Sequence, residues 1–239
     1  MIVTTSWDDG HHQDLRTAEL LARFGLKGTF YVAFNEPAEL EISVDEIRAL
    51  HEMGMEIGSH TLSHRILTEI PRSEIFAELV ESKKRLEDIL GEPVSAISFP
   101  LGYHNDLVMK VWKEAGYRLG RTTKAFQTST DFDPSLMPIT VEFYRYSRLA
   151  ITRHAARDIN VGGLLRWLAA GMPTEPLYLA RHFFNKVAEG GGVFHLNARS
   201  WEIDDFNLWS ELEDLFRHIG AQAGIEARTN SGVLDLLSA

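Results

Sequence analysis

The chain has 239 residues, 44% hydrophobic and 24% charged, which is enough apolar side chain for a sizeable core and excludes a disordered chain. Its formal net charge of -10 disfavours nucleic acid and anionic membrane as partners, because the lysines and arginines that would neutralise phosphate are in deficit. It has no cysteine, so disulfides, a thiolate nucleophile and thiolate metal ligands are excluded, and any metal must be held by His, Asp or Glu.

The N-terminus, MIVTTSWDDG, lacks the charged and apolar regions and the cleavage site of a signal peptide. No apolar run approaches the ~20 residues of a membrane span. The expectation is a cytoplasmic protein with no membrane span; the oligomeric state is left open.

Short apolar runs alternate with segments of helical period, the pattern of a parallel sheet with crossover helices. Ile2 to Ser6 reads as a first strand, followed by a helix on Leu15, Ala18, Leu21 and Ala22 that stops at Gly25. Gly28 to Ala33 is a second strand. Ser43 and Glu46 form a capping box for a helix that stops at Gly54. Met55 to Gly58 is a third strand, and Ser73 opens a long helix ending near Gly91. Ala96 to Phe99, a helix over Asn105 to Ala115, and Tyr117 to Arg121 follow.

Residues 122–155 are the least regular, with one strand expected at Ile139 to Phe143. Helices over 160–170 and 175–189, a strand over Gly192 to Leu196, a helix over Asp204 to Ile219 and a strand over Ile225 to Arg228 precede a short terminal helix. About seven β/α units in one domain spanning 1–239 suit an α/β fold of the distorted (β/α)7 barrel type. A doubly wound open sheet is the competing architecture.

In either architecture the C-terminal ends of the strands converge on one mouth. Asp8 and Asp9 follow the first strand, His60 and His64 the third, Pro100 to Tyr103 the fourth, and His195 ends a late one. Two adjacent carboxylates repel unless something positive compensates them, and a divalent cation would do so. The four-residue spacing of His60 and His64 puts both imidazoles on one face of a helical turn, which suits two ligands of one ion. A third ligand from a carboxylate leaves positions open for water, and a second carboxylate can take that water's proton. His195 can serve as the acid for the leaving group, and the Leu101 amide in the turn Pro100-Leu101-Gly102-Tyr103 as an oxyanion donor. Tyr103 and Trp201 can stack on a sugar face. Asp14 reads as a helix cap, and His11 and His12 as turn residues beside the site.

These segments resemble the polysaccharide deacetylases, carbohydrate esterase family four, which share the NodB homology domain. SWDDG resembles the first motif and implies Asp8 as catalytic base and Asp9 as metal ligand. HTLSH resembles the second and implies His60 and His64 as the other ligands. SFPLGY resembles the third, which shapes the substrate groove and gives the oxyanion amide, and GVFHL resembles the fifth, ending in the acid, here His195. The resemblance implies a distorted barrel and one divalent cation; nitrogen and oxygen ligands with open coordination make zinc the default, and cobalt, nickel, iron or manganese would fit too. It also implies hydrolysis of an N-acetyl group on an amino sugar. A cyclic or other small non-sugar amide is the first alternative substrate, and a silent carbohydrate-binding relative or a non-haem iron site are others.

Three departures stand out. The family carries Arg where Ser98 stands, and Arg121 at the end of the next strand is the candidate replacement. The fourth motif is not evident, with Asp131 and Asp133 as candidates. Relatives carry a further His where Arg199 stands, which would move the acid away from His195.

Overall fold

The computed structural model describes residues 1–34 and 42–237. The strands are β1 (Ile2–Trp7), β2 (Gly28–Val32), β3 (Glu56–Ser59), β4 (Ala96–Ser98), β5 (Leu119–Arg121), β6 (Val141–Glu142), β7 (Val193–Ala198) and β8 (Glu226–Ala227). The helices between β1 and β6 are α1 (Asp14–Arg23), α2 (Val44–Glu52), α3 (Arg72–Leu90) and α4 (Asp106–Glu114). After β6 come α5 (Arg148–Arg157), α6 (Val161–Ala169), α7 (Pro176–Gly190), α8 (Ser200–Asp205), α9 (Trp209–Gly220) and α10 (Asn230–Leu237).

The strands pair in parallel in the order β5-β4-β3-β2-β1-β7-β6, with β8 beside the start of β1. That order is sequential around a ring and has no reversal point, which decides for the barrel over the doubly wound sheet. The segment after β5 joins the two edges. Met137 N–H donates to Gly120 O at 2.7 Å, and farther along Thr140 and Phe143 N–H groups donate to His195 O and Asn197 O on β7.

Alternation along β1 separates two environments. Val3 and Trp7 face the main core under the outer helices, with Phe30, Phe194 and Phe216. Ile2 belongs to a small inner cluster with Tyr31, Leu119, Val193 and Val233. Helix α10 contributes Val233 to that cluster from the end where the strands begin. Its Asn230 is fully buried and bonds Thr4 Oγ1, Ser6 Oγ and Tyr31 OH at 2.8–2.9 Å. A buried amide so fully satisfied fixes the helix without leaving orphan polar groups.

Several local expectations change. Helix α5 occupies the supposedly irregular region; only Ile151 and Ala155 of it are buried, too few for a clear apolar stripe. The helix expected over Asp204 to Ile219 is two, α8 and α9, broken where Asn207 takes φ 51°. Helix α3 begins at Arg72, one residue after an extended Pro71, and Ser73 is not its cap. The Ser43–Glu46 capping box is present on α2.

Close packing at β5 is testable. A Cβ on Gly120 would lie 2.3 Å from Ser135 O and 2.8 Å from the Phe99 ring. Gly120→Ala should therefore cost about 1–3 kcal/mol in urea unfolding. Ser43→Ala, which removes one cap, should cost about 1 kcal/mol. A Gly120→Ala protein as stable as the parent would refute that packing.

Candidate functional site

The mouth of the barrel is built where β1, β3, β4, β5 and β7 end. β1 delivers Asp8 and Asp9 into a turn in which Asp9 takes φ 82°. The loop after β3 carries His60 and His64, with Thr61 and His64 also at positive φ. These two histidines are not on a helical turn, as their spacing suggested; residues 60–66 are irregular. Glu78, buried on α3, holds that loop. Its Oε2 accepts from Leu62 and Ser63 N–H at 2.9 and 2.8 Å.

His60 donates its Nδ1–H to Ser98 O at 2.8 Å, since a carbonyl can only accept, and its Nε2 lone pair is left free. His60 Nε2 and His64 Nε2 lie 3.1 Å apart. Asp9 Oδ1 is 3.4 Å from the first and 3.5 Å from the second. That oxygen is buried and accepts no hydrogen bond. Burial and the neighbouring His60 push His64 down to about 4, so its ring is neutral, as a ligand must be. One orphaned carboxylate oxygen and two imidazole nitrogens, all within 4.8 Å of one another, fit a divalent cation. This is the one such cluster found among the described residues.

The other Asp9 oxygen is anchored. Oδ2 accepts from Trp201 Nε1–H at 2.8 Å and lies 3.4 Å from Arg199 Nε. Burial alone would raise the Asp9 carboxyl, but His60, Arg199 and Trp201 hold it far below the ordinary range. Trp201, expected to face sugar, thus spends its indole N–H on a metal-ligand candidate while still lining a cleft of about 350 Å³ with His11, His12, Asp204 and Asp205.

Asp8 is buried and accepts from Arg121 Nη2–H at Oδ1. Burial raises this carboxyl, and Arg121, with His60 and Arg199, more than offsets that, so Asp8 is held low and ionised. Register places Ser98 of β4 opposite Arg121 of β5, so the guanidinium approaches from one strand over.

In the turn after β4, the Gly102 and Tyr103 amides are used on Phe99 O and Pro100 O, whereas the Leu101 N–H donates to no acceptor among the described residues. Leu101 is at φ 55°. Gly102 is required: a Cβ there would meet Thr123 Oγ1 at 2.3 Å. Tyr103 and Gly102 line a second cleft of about 510 Å³, together with His104, Asp131 and Asp133. Asp133 caps the turn at Pro134, accepting from Ser135 N–H at 2.9 Å.

His195 is not at a strand end. It is the third residue of β7, paired with Thr4 and buried inside the barrel. Its Nδ1–H donates to Pro138 O at 2.9 Å, and its Nε2 accepts from the Ser6 hydroxyl. Burial, reinforced by Arg121, pushes it down to about 3. The residue that follows β7 is Arg199, paired with Glu142 at 3.3 Å and Glu202 at 3.0 Å as well as with Asp9.

Asp14 is not the cap of α1 but its first residue, fully buried. It accepts from the His11 N–H at 3.1 Å and from the Ser200 hydroxyl, tying the loop after β1 to the start of α8. Burial, opposed by those two hydrogen bonds, pushes it up to about 7. Glu78, Arg199 and Asp14 were missed as site residues. Glu78 did leave a signal, as a carboxylate within the buried stripe Ile75, Leu79, Ser82, Leu86.

The sequence profile described as polysaccharide deacetylase matches residues 1–120. A chitin deacetylase of Arthroderma benhamiae is 28% identical over 152 residues, 60% of this chain and 39% of that protein. A peptidoglycan-N-acetylglucosamine deacetylase of Bacillus cereus is 28% identical over 120 residues, 49% of this chain and 54% of the relative. The chain spans roughly half the length of the curated relatives it matches. A Mycobacterium smegmatis structure assigned as a polysaccharide deacetylase superposes with a TM-score of 0.71 at 16% identity, over 99% of this chain and 90% of that one. That likeness establishes a shared fold.

Two measurements check the site. Equilibrium dialysis should find zinc bound to the parent, no uptake by His60→Ala, and an affinity about tenfold weaker in Glu78→Ala; equal uptake by all three would refute the cluster. Asp14 is raised to about 7 in the folded chain from 3.8, so its stabilising contribution is present below pH ~4 and fades as pH rises towards ~7. Between pH 4 and 8 the parent should lose stability relative to Asp14→Asn, and a constant difference in urea unfolding would show that Asp14 does not titrate there. The profile match from residue 1 to 120 takes in Asp8, Asp9, His60 and His64, and the chain belongs to the polysaccharide deacetylase family.

Proposed function

We propose that the chain is a metal-dependent hydrolase that removes N-acetyl groups from an amino-sugar substrate. The observation that carries this reading is the orphaned Asp9 Oδ1 facing two imidazole nitrogens, one carboxylate away from a second, ionised aspartate. Asp9, His60 and His64 would hold the cation, with zinc as the default for a nitrogen and oxygen ligand set. When bound, such a cation polarises the acetyl carbonyl and makes water acidic enough to ionise near neutral pH.

The protein's own groups supply the remainder. Asp8 uses Oδ1 for Arg121, so Oδ2 takes the proton of the attacking water. The Leu101 N–H donates to the oxygen that gains charge. His195 keeps both ring nitrogens occupied inside the barrel, so the proton returned to the departing nitrogen is assigned to Asp8. The carbon–nitrogen bond then breaks, leaving acetate and a free amine. Tyr103 and Trp201 border the clefts on the two sides of the mouth, where sugar rings would lie.

A second reading is a carbohydrate-binding relative without turnover. The burial of His195 and the presence of Arg199 at the end of β7 favour it, because a guanidinium cannot serve as a proton donor.

Acetate release from N-acetylglucosamine oligomers separates the two. The parent should release acetate, and Asp8→Asn should lose roughly 10²–10⁴ in kcat while still binding zinc. Oligomer binding with no acetate, unchanged by Asp8→Asn, would establish the silent reading instead.

A further inference from the structure

Helices α5 and α6 pack against one another as a hairpin on the outside of the barrel. Their inner face is satisfied: Ile151, Ala155 and Trp167 are buried, and Trp167 stacks on Phe126. Their outer face is not. Leu149, Ile159, Val161, Leu165, Leu168 and Met172 are all exposed. Val161, Leu165 and Leu168 recur at helical spacing on the solvent side of α6. The other exposed large apolar residues, such as Val44, Phe76 and Leu107, are scattered. A concentrated patch of this kind marks an interaction surface, whereas scattered exposed residues carry no such meaning.

Ile159 takes φ 47° and is 83% exposed. A β-branched residue is a genuine outlier in the left-handed region, and here no burial compensates for it. Met172, after α6, takes φ 55° and is also exposed.

Charge then selects the partner. Between Arg145 and Met172 the sequence carries five arginines, no lysine and one acidic residue, Asp158, in a chain whose net charge is -10. Arg145 pairs with Glu211 and Arg157 with Asp158. Arg148 donates to Met172 O, and Arg166 to Phe126 O and Gln127 Oε1. Among the described residues no carboxylate pairs with Arg148, Arg153 or Arg166. A surface senses charge within about 8 Å at physiological salt, so the arginine excess of the hairpin acts locally, with Asp131 and Asp133 confined to the cleft that Ile159 borders.

We propose that the α5–α6 hairpin docks on an anionic lipid surface, with its apolar residues in the headgroup layer and its arginines on lipid phosphates. Both helices are far too short to span a bilayer, and exposed apolar residues flanked by arginines are the signature of an element lying in the interface plane. A second copy of the chain fits less well, because a self-complementary contact would bring two identical cationic patches together. Ile159 also lines the cleft beside Tyr103, so docking would set the barrel mouth close to the lipid headgroups.

Vesicle co-sedimentation of the full chain tests this. The parent should bind phosphatidylcholine vesicles containing about 30 mol% phosphatidylglycerol at roughly 0.15 M salt, and bind pure phosphatidylcholine much more weakly. Binding should fall about tenfold in Arg153→Glu and in Leu165→Asp, both exposed positions, with circular dichroism, melting temperature and zinc uptake unchanged. No binding to the anionic vesicles, or equal binding by parent and variants, would overturn the proposal. So would a dimer in sedimentation velocity that Leu165→Asp dissociates, if vesicle binding is absent. None of these readings depends on turnover, so they stand or fall separately from the deacetylase proposal.

Discussion

Two neighbouring carboxylates at the end of a buried strand set the terms for the rest of the mouth. Each buried, unpaired ion would cost several kcal/mol even after relaxation, and two side by side repel as well. The protein compensates them separately. Asp8 is held by a single buried arginine from β5, whereas Asp9 shares Arg199, the Trp201 indole and two histidines. This division gives the carboxylates different work. One oxygen of Asp9 is tied down so that the other is aimed at the imidazoles, while Asp8 stays ionised without a direct histidine contact.

The supports of these residues form a second ring of contacts behind the first. Ser98 O fixes the tautomer of His60, Glu78 holds the loop that carries His64, and Asp14 fastens α8 to the turn after β1. Backbone strain is present at the same place. Asp9, Thr61, His64 and Leu101 all take positive φ without being glycine. Surrounding contacts hold such conformations in place, and here they include Glu78 on the loop of His64, Ser59 Oγ accepting from Thr61 N–H and Thr123 Oγ1 donating to Leu101 O.

Much of this was legible in the sequence. Apolar runs and helical periods located the strands, because each is set by local burial on one or two faces, and motif order placed Asp8, Asp9, His60 and His64 at strand ends. What escaped depends on register and depth, which no local pattern encodes. The spacing of His60 and His64 suggested a helical turn, but a loop brings them together. His195 looked terminal because the strand was expected to stop at Leu196; it runs to Ala198 and leaves the imidazole inside. Arg121 could be suspected as a partner for Asp8, yet only the pairing of Ser98 with Arg121 shows why a guanidinium from the adjacent strand can reach the carboxylate. The basic character of α5 and α6 was hidden by a bulk charge of the opposite sign.

The segment from Met137 to Phe143 has a meaning beyond the site it borders. An open parallel sheet ends in two rows of unsatisfied backbone groups, and such rows recruit strands from neighbouring molecules. Here one short stretch of chain hydrogen-bonds to β5 at its beginning and to β7 farther along. The molecule thereby occupies with its own backbone positions where a foreign strand would add, and a seam of a few residues closes both edges.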